Sequence, residues 1–176
     1  MSTPRGIGRV DTLVGCPLLT ALPLRVLQAL APRFEATELD TGDLLFEIGG
    51  RSASLFIVEK GDLELEGPGK SVGRVSRGGV LCEEDVLRPG IHKTRARATS
   101  PSLVLSMDEQ TLNNLWAIEP ASAAFLQLAI GSRLITELRR ANTQFVSLCE
   151  MPIDEVENTG MRRILKVSSD SDLESG

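Results

Sequence analysis

Two hydrophobic periodicities follow one another along the chain, and the switch between them divides it. Within residues 13–40, Leu24, Leu27, Leu30 and Ala31 recur at helical spacing behind Pro23, which a first helical turn tolerates, and Pro32 closes the run. From residue 40 glycine takes over the punctuation. Gly42, Gly49-Gly50, Gly61, Gly67-Pro68-Gly69 and Gly78-Gly79 separate runs rich in Leu, Ile, Val and Phe at 44–48, 54–59, 63–66 and 72–76, each too short for a stable helix. After a break at 83–90, two more runs follow at 93–99 and 102–107. Short strands with turns at this spacing predict an antiparallel roll or barrel. The pattern then turns helical again: Asp108 is placed to cap a helix reaching Ile118, and Pro120 opens a longer one running to about Cys149. Beyond Met151, acidic and apolar residues alternate before Ser168-Ser169-Asp170-Ser171-Asp172, a segment too polar to add core. The expected organisation is a tail over 1–12, one domain over 13–149 and a loosely ordered acidic tail over 150–176. Within the domain, the roll spans about 34–107 and the helices about 108–149.

Composition narrows the function. Hydrophobic residues make up 41% of the 176, enough for one core, while aromatics at 3% with no Tyr make that core aliphatic and leave little for stacking bases. Nineteen basic residues stand against 24 acidic ones for a net charge of −5, with no separate basic block, so nucleic acid is not an expected partner. No run approaches the roughly 18 apolar residues of a membrane span, and the first ten residues lack the apolar stretch of a secretory signal. The expectation is a cytoplasmic protein. Cys16, Cys82 and Cys149 match neither a disulfide framework nor a zinc spacing and read as small buried hydrophobes. His92 is the single histidine, and no nucleophile–base set or phosphate loop accompanies it. No catalytic residue, metal or cofactor is expected.

The run Gly42-Asp43-Leu44-Leu45-Phe46-Glu47-Ile48-Gly49, followed by Leu55-Phe56-Ile57-Val58-Glu59-Lys60-Gly61, resembles the cyclic nucleotide-binding domain family. Its members include catabolite activators, kinase regulatory subunits and gated channels. Pro17-Leu18-Leu19-Thr20-Ala21-Leu22 is similar to the helix that leads into the domain, and the resemblance extends over about 13–142. It implies a mainly β fold with flanking helices: an eight-stranded antiparallel β-roll, or double-stranded jelly roll, plus C-terminal helices. The ligand is then held by a short insert, the phosphate-binding cassette.

In the family, that cassette supplies a glycine for close backbone approach and a glutamate that accepts from the ribose 2′-hydroxyl. Amides bind the cyclic phosphate and an arginine neutralises it. The corresponding residues here run from Leu81-Cys82-Glu83-Glu84-Asp85 to Ile91-His92-Lys93-Thr94, making Leu81, Cys82, Glu83, Glu84, His92, Lys93 and Thr94 the candidate ligand-binding set. Of the motif, the glutamate is kept as Glu83. Cys82 stands in place of the glycine and His92 in place of the arginine, while Glu84 and Asp85 add negative charge beside the phosphate position. One unit charge at about 4 Å is worth roughly 4 kcal/mol at an effective dielectric near 20, enough to remove much of the phosphate affinity. A strand period of two puts Thr94, Ala96 and Ala98 inside with His92 and turns Lys93, Arg95 and Arg97 outward, so these arginines do not substitute for the missing one. The expectation is a non-enzymatic regulatory module with weak or lost cyclic nucleotide binding, acting through an unidentified protein partner. A stand-alone sensor that binds cAMP or cGMP is the alternative. Three plainer readings stay open: Glu83 as a solvated turn acid, His92 as a polar residue at a strand start, and the outward basic row as a solvated face paired with nearby acids.

Along the long helix, Leu128, Gly131, Ile135, Leu138, Asn142, Phe145 and Cys149 fall at alternating three- and four-residue steps, with Asn142 at an a-like position that fixes register in two-stranded coils. This seam predicts either a homodimer through Leu128, Ile135, Leu138, Asn142 and Phe145 or packing of the same stripe onto the chain's own roll. The stretch after Asn142 reads as too short and too acidic, so a helix-turn-helix domain is not expected.

Overall fold

Runs of four to seven branched and aliphatic residues between positive-φ glycines pair as strands, and the pairing is antiparallel throughout. The structure, a computed structural model, describes residues 7–149. Its strands are β1 (Glu35–Leu39), β2 (Leu44–Phe46), β3 (Arg51–Ser52), β4 (Ser54–Lys60) and β5 (Asp62–Gly67), then β6 (Lys70–Ser76), β7 (Val80–Leu81), β8 (Gly90–Ile91), β9 (Arg95–Ala98) and β10 (Ser102–Asp108). One four-stranded sheet has the order β1-β10-β4-β7 and the other β2-β9-β5-β6, which together supply the eight strands of the roll; β3 and β8 form a separate two-stranded ribbon. Helices α1 (Ile7–Val14) and α2 (Leu24–Leu30) precede the roll, and α3 (Glu109–Ile118) and α4 (Pro120–Cys149) follow it.

Two cores lie on opposite sides of the first sheet. Leu55 and Ile57 of β4 join Leu105 and Met107 of β10 under the helices, where Leu27, Leu30, Leu112, Leu115, Leu126 and Ile130 complete a cluster. Val58 and Val104, on the other face, meet Leu39, Leu63, Leu81 and Ala98 from both sheets inside the roll. The registers Leu105↔Ile57 and Val104↔Val58 keep the two sets on opposite faces, as the strand period of two requires. Gly61 shows why one of the turns needs glycine: at φ 87°, an added Cβ would stand 2.7 Å from the Pro101 carbonyl oxygen.

Several expectations shift at their edges. The run at 93–99 contracts to β9, and β1, β3, β7 and β8 join the strands read from the sequence. β1 carries Glu35 and Glu38 and is exposed except at Leu39, so its polar pattern conceals a strand that β10 holds in place. Helix α1 begins inside the segment expected to be a tail, and its Leu13 is fully buried. The face of α4 that enters the core carries Ala123, Leu126 and Ile130, not the heptad seam: Leu128 is 66% exposed. The chain falls into two compact units divided between Leu134 and Ile135, and the second, as far as it is described, is the C-terminal part of α4. There Ile135, Leu138 and Phe145 are exposed. The expected tail at 150–176 lies outside the described residues. Among the described residues, no helix is long and apolar enough to cross a membrane.

Asp108 caps α3 as its position predicts, its Oδ1 accepting from the Thr111 amide at 2.8 Å. That hydrogen bond holds the carboxyl below its ordinary value. Because the folded-state value is the lower one, the contribution is complete above the ordinary carboxylate range and is lost as pH falls through the folded value. Asp108→Ala should therefore cost about 1 kcal/mol at neutral pH, and Asp108→Asn only a few tenths. Urea unfolding at neutral pH and again near about pH 3 checks this, since the gap between wild type and Asp108→Ala should narrow in acid.

Candidate functional site

The cassette segment begins where β7 ends. Val80 and Leu81 pair with Ile57 and Phe56 of β4, and Leu81 is buried in the roll interior with Val58 and Val104. The chain then turns through Cys82, whose φ of 57° is the one positive value at a non-glycine residue among those described. The sequence motif places glycine here, and the geometry agrees: a side chain in this region costs roughly 1–2 kcal/mol. A turn follows, with the Asp85 amide donating to the Cys82 carbonyl at 3.1 Å and the Arg88 amide to the Glu84 carbonyl at 2.9 Å.

The thiol of Cys82 faces His92 across this turn, with Sγ 3.8 Å from Nδ1. His92 is itself fixed on three sides. Its ring stacks on Phe46 at 3.9 Å between centroids and 8° between planes, its amide donates to the Gly50 carbonyl at 2.9 Å, and its carbonyl accepts from the Gly49 amide at 2.9 Å. Asp85 completes the group, accepting a short hydrogen bond from the Ser52 hydroxyl. One donor atom from each of Cys82, Asp85 and His92 lies within 4.8 Å of the others. Burial, and then the neighbouring Asp85 charge, push the Cys82 thiol up to about 12. Burial lowers His92, an effect that Asp85 opposes. The position that the family motif gives to an arginine thus holds a neutral imidazole at physiological pH.

Glu83 is not a solvated turn acid. It is 6% exposed, and one of its carboxylate oxygens accepts from Nε of Arg133 on α4 at 2.6 Å. The outward arginines are paired, as the plainer reading has it. Arg95 bonds to Glu66 and lies 3.8 Å from Glu47, while Arg97 lies 3.7 Å from Glu66 and donates to the Gly42 carbonyl. Ala96 and Ala98 alternate with them into the interior, as the period of two predicted.

A cleft of about 750 Å³ opens beside the turn. Of the candidate residues, Cys82, Glu84, His92, Lys93 and Thr94 line it; Leu81 belongs to the roll core, and Glu83 is turned to Arg133 instead. Residues the sequence did not mark as candidates take part as well. Asp85 and Leu134 line the cleft, Phe46 and Ser52 fix the side chains behind it, and Arg133 holds Glu83. The spacing Cys82-x-x-Asp85 on one turn was the available signal for Asp85; nothing local signalled Phe46, Ser52 or Arg133. The cysteines also divide: Cys16 is buried as expected, whereas Cys82 is half-buried beside the cleft and Cys149 is exposed. The reading of all three as buried hydrophobes is corrected at Cys82, which is half-buried, and at Cys149, which is exposed.

The scaffold of the site is thus a β-roll with flanking helices, in which a turn and β8 lie between β7 and β9. Residues 36–119 match the family described as cyclic nucleotide-binding domain. The N-terminal domain of a transcriptional regulator from Streptomyces coelicolor A3(2) is similar, with 23% identity, a TM-score of 0.66 and coverage of 72% of this chain and 94% of that one. A cyclic nucleotide-binding domain from Methylobacillus flagellatus matches with 12% identity, a TM-score of 0.67 and coverage of 83% and 85%. The catabolite activator protein of Thermus thermophilus matches with 19% identity and a TM-score of 0.65, over 76% of this chain and 63% of that one. At these identities the likeness is one of fold. No curated protein matches the chain.

Arg133→Met removes the cation beside a buried carboxylate. A fully buried pair broken in this way costs about 3–5 kcal/mol, and because the Arg133 side chain is 32% exposed, a loss of about 2 kcal/mol is expected. Adding Glu83→Gln should recover part of it, read as a coupling energy in a double-mutant cycle of denaturant unfolding.

Proposed function

We propose that the chain is a non-enzymatic, cytoplasmic regulatory module of the cyclic nucleotide-binding type that has lost high-affinity cyclic nucleotide binding and acts through protein–protein contact. The observation that carries this reading is the identity of the groups at the cassette. A neutral His92 stacked on Phe46, a left-handed Cys82 and the carboxylate of Asp85 occupy the place where an anionic phosphate needs open backbone and a guanidinium. The family's ribose acceptor, Glu83, pairs with Arg133.

One observation favours the alternative, a stand-alone sensor. Arg88 and Lys93 line the cleft and bring positive charge to it. Both are exposed, so water and salt compete for them and a phosphate gains less than from a buried bidentate arginine. Calorimetric titration with cAMP and cGMP, in the presence of a chelator at neutral pH, should therefore give affinities weaker than micromolar. The double variant Cys82→Gly/His92→Arg should bind at least about tenfold more tightly, since it restores backbone freedom and a guanidinium. Micromolar or tighter binding by the wild type would establish the sensor instead.

A second copy of the chain is the partner this reading assigns to α4. Leu128, Ile135, Leu138 and Phe145 present 53–70% of their surface to solvent at heptad spacing, and Asn142 at an a-like position suits a self-complementary two-stranded seam. Ile135→Asp should shift sedimentation from dimer to monomer. A wild-type chain that stays monomeric at high concentration would remove the homodimer.

A further inference from the structure

The cluster that displaces the phosphate chemistry is itself a set of metal donors. Cys82 offers a sulfur, His92 an imidazole nitrogen and Asp85 a carboxylate oxygen, and the three donor atoms already stand within 4.8 Å of one another. We propose that Cys82, Asp85 and His92 form a binding site for one Zn²⁺ ion, with a fourth coordination position open to the cleft.

Four features support the assignment. The first is spacing: Zn–N, Zn–O and Zn–S bonds of about 2.0–2.3 Å put the ligands of a tetrahedral ion about 3.3–3.8 Å apart. Sγ of Cys82 and Nδ1 of His92 are 3.8 Å apart without a metal, and a carboxylate oxygen of Asp85 lies within 4.8 Å of both. The second is support behind the ligands. Ser52 orients Asp85, and the Phe46 stack holds the His92 ring, which is the arrangement by which outer groups preset a metal site. The third is the backbone at Cys82, where φ is 57°: glycine would turn the chain without the steric cost, and cysteine places a thiol beside the imidazole instead. The fourth is the donor set, since sulfur with imidazole and a carboxylate favours zinc over the hard, oxygen-seeking Mg²⁺ and Ca²⁺.

Binding is balanced by one proton. The Cys82 thiol releases its hydrogen to solvent as the thiolate coordinates, the imidazole binds as the neutral ring, and no oxidation or reduction occurs. All three residues line the 750 Å³ cleft, so water or an anionic group of a ligand can reach the fourth position. The ion would return positive charge to the place where the family motif has arginine.

The zinc site shares its cassette with the proposed regulatory role but is tested without nucleotide, so its failure overturns the metal site alone. The full chain, stripped of metal, is titrated with Zn²⁺ against a chromophoric chelator, and separately with Co²⁺, whose thiolate charge-transfer band reports sulfur coordination. One zinc per chain and a thiolate–cobalt band are expected. Cys82→Gly should abolish the band while easing the backbone, Asp85→Asn and His92→Gln should each weaken zinc by well over tenfold, and Ser52→Ala by about tenfold. Cys149→Ser should change nothing, because that exposed thiol lies outside the site. Absence of stoichiometric zinc, an unchanged cobalt band in Cys82→Gly, or loss of the band in Cys149→Ser would each overturn the proposal. Should Cys82→Gly fail to fold, unchanged zinc affinity in both Asp85→Asn and His92→Gln would overturn it equally.

Discussion

Burial of one sheet on both faces is the constraint on which the molecule depends. β4 and β10 send Leu55, Ile57, Leu105 and Met107 to the helices and Val58 and Val104 to the roll interior, so neither strand can slip by one residue without exchanging two cores. The helices before and after the roll are held by one of these cores, and the second sheet closes over the other. β7, only two residues long, has Val80 in the first core and Leu81 in the second, so the cassette turn leaves the sheet from an anchored point.

Beyond that anchor, the left-handed residue and the buried acid of the turn each make a contact within the fold. Cys82 takes the left-handed conformation with a thiol attached, and Glu83 turns to Arg133 rather than to the cleft. The cations nearby are engaged in the same way: Arg95 and Arg97 with Glu66, Arg51 with Glu109. Surface pairs of this kind add little stability. The pair between Glu83 and Arg133 differs because its carboxylate is buried, and it ties the cassette directly to α4.

Much of this was legible along the chain. The glycines at 42, 49 and 61 all adopt positive φ, the strand runs at 54–59 and 102–107 sit within β4 and β10, and Asp108 caps α3. Pro120 opens α4 as expected, and Ala96 and Ala98 point inward between Arg95 and Arg97. These features depend on neighbours within about one turn or one strand, and period, capping and turn chemistry are written in such local spacing.

The tertiary structure decided the rest. β1, with two glutamates in five residues, is a strand because β10 pairs with it, and the two-residue strands β3, β7 and β8 exist only through their partners. Leu128 follows helical spacing as well as Leu126 does, and only the direction in which α4 crosses the core leaves one exposed and buries the other. Cys82 and His92 stand ten residues apart and Glu83 and Arg133 fifty, so their meetings come from strand register and from the burial of the elements that carry them. The sequence by itself determined which segments turn, extend or coil, because those choices are local; which side chains face one another was decided by the two cores, because a contact across the fold has no signature in the spacing along the chain.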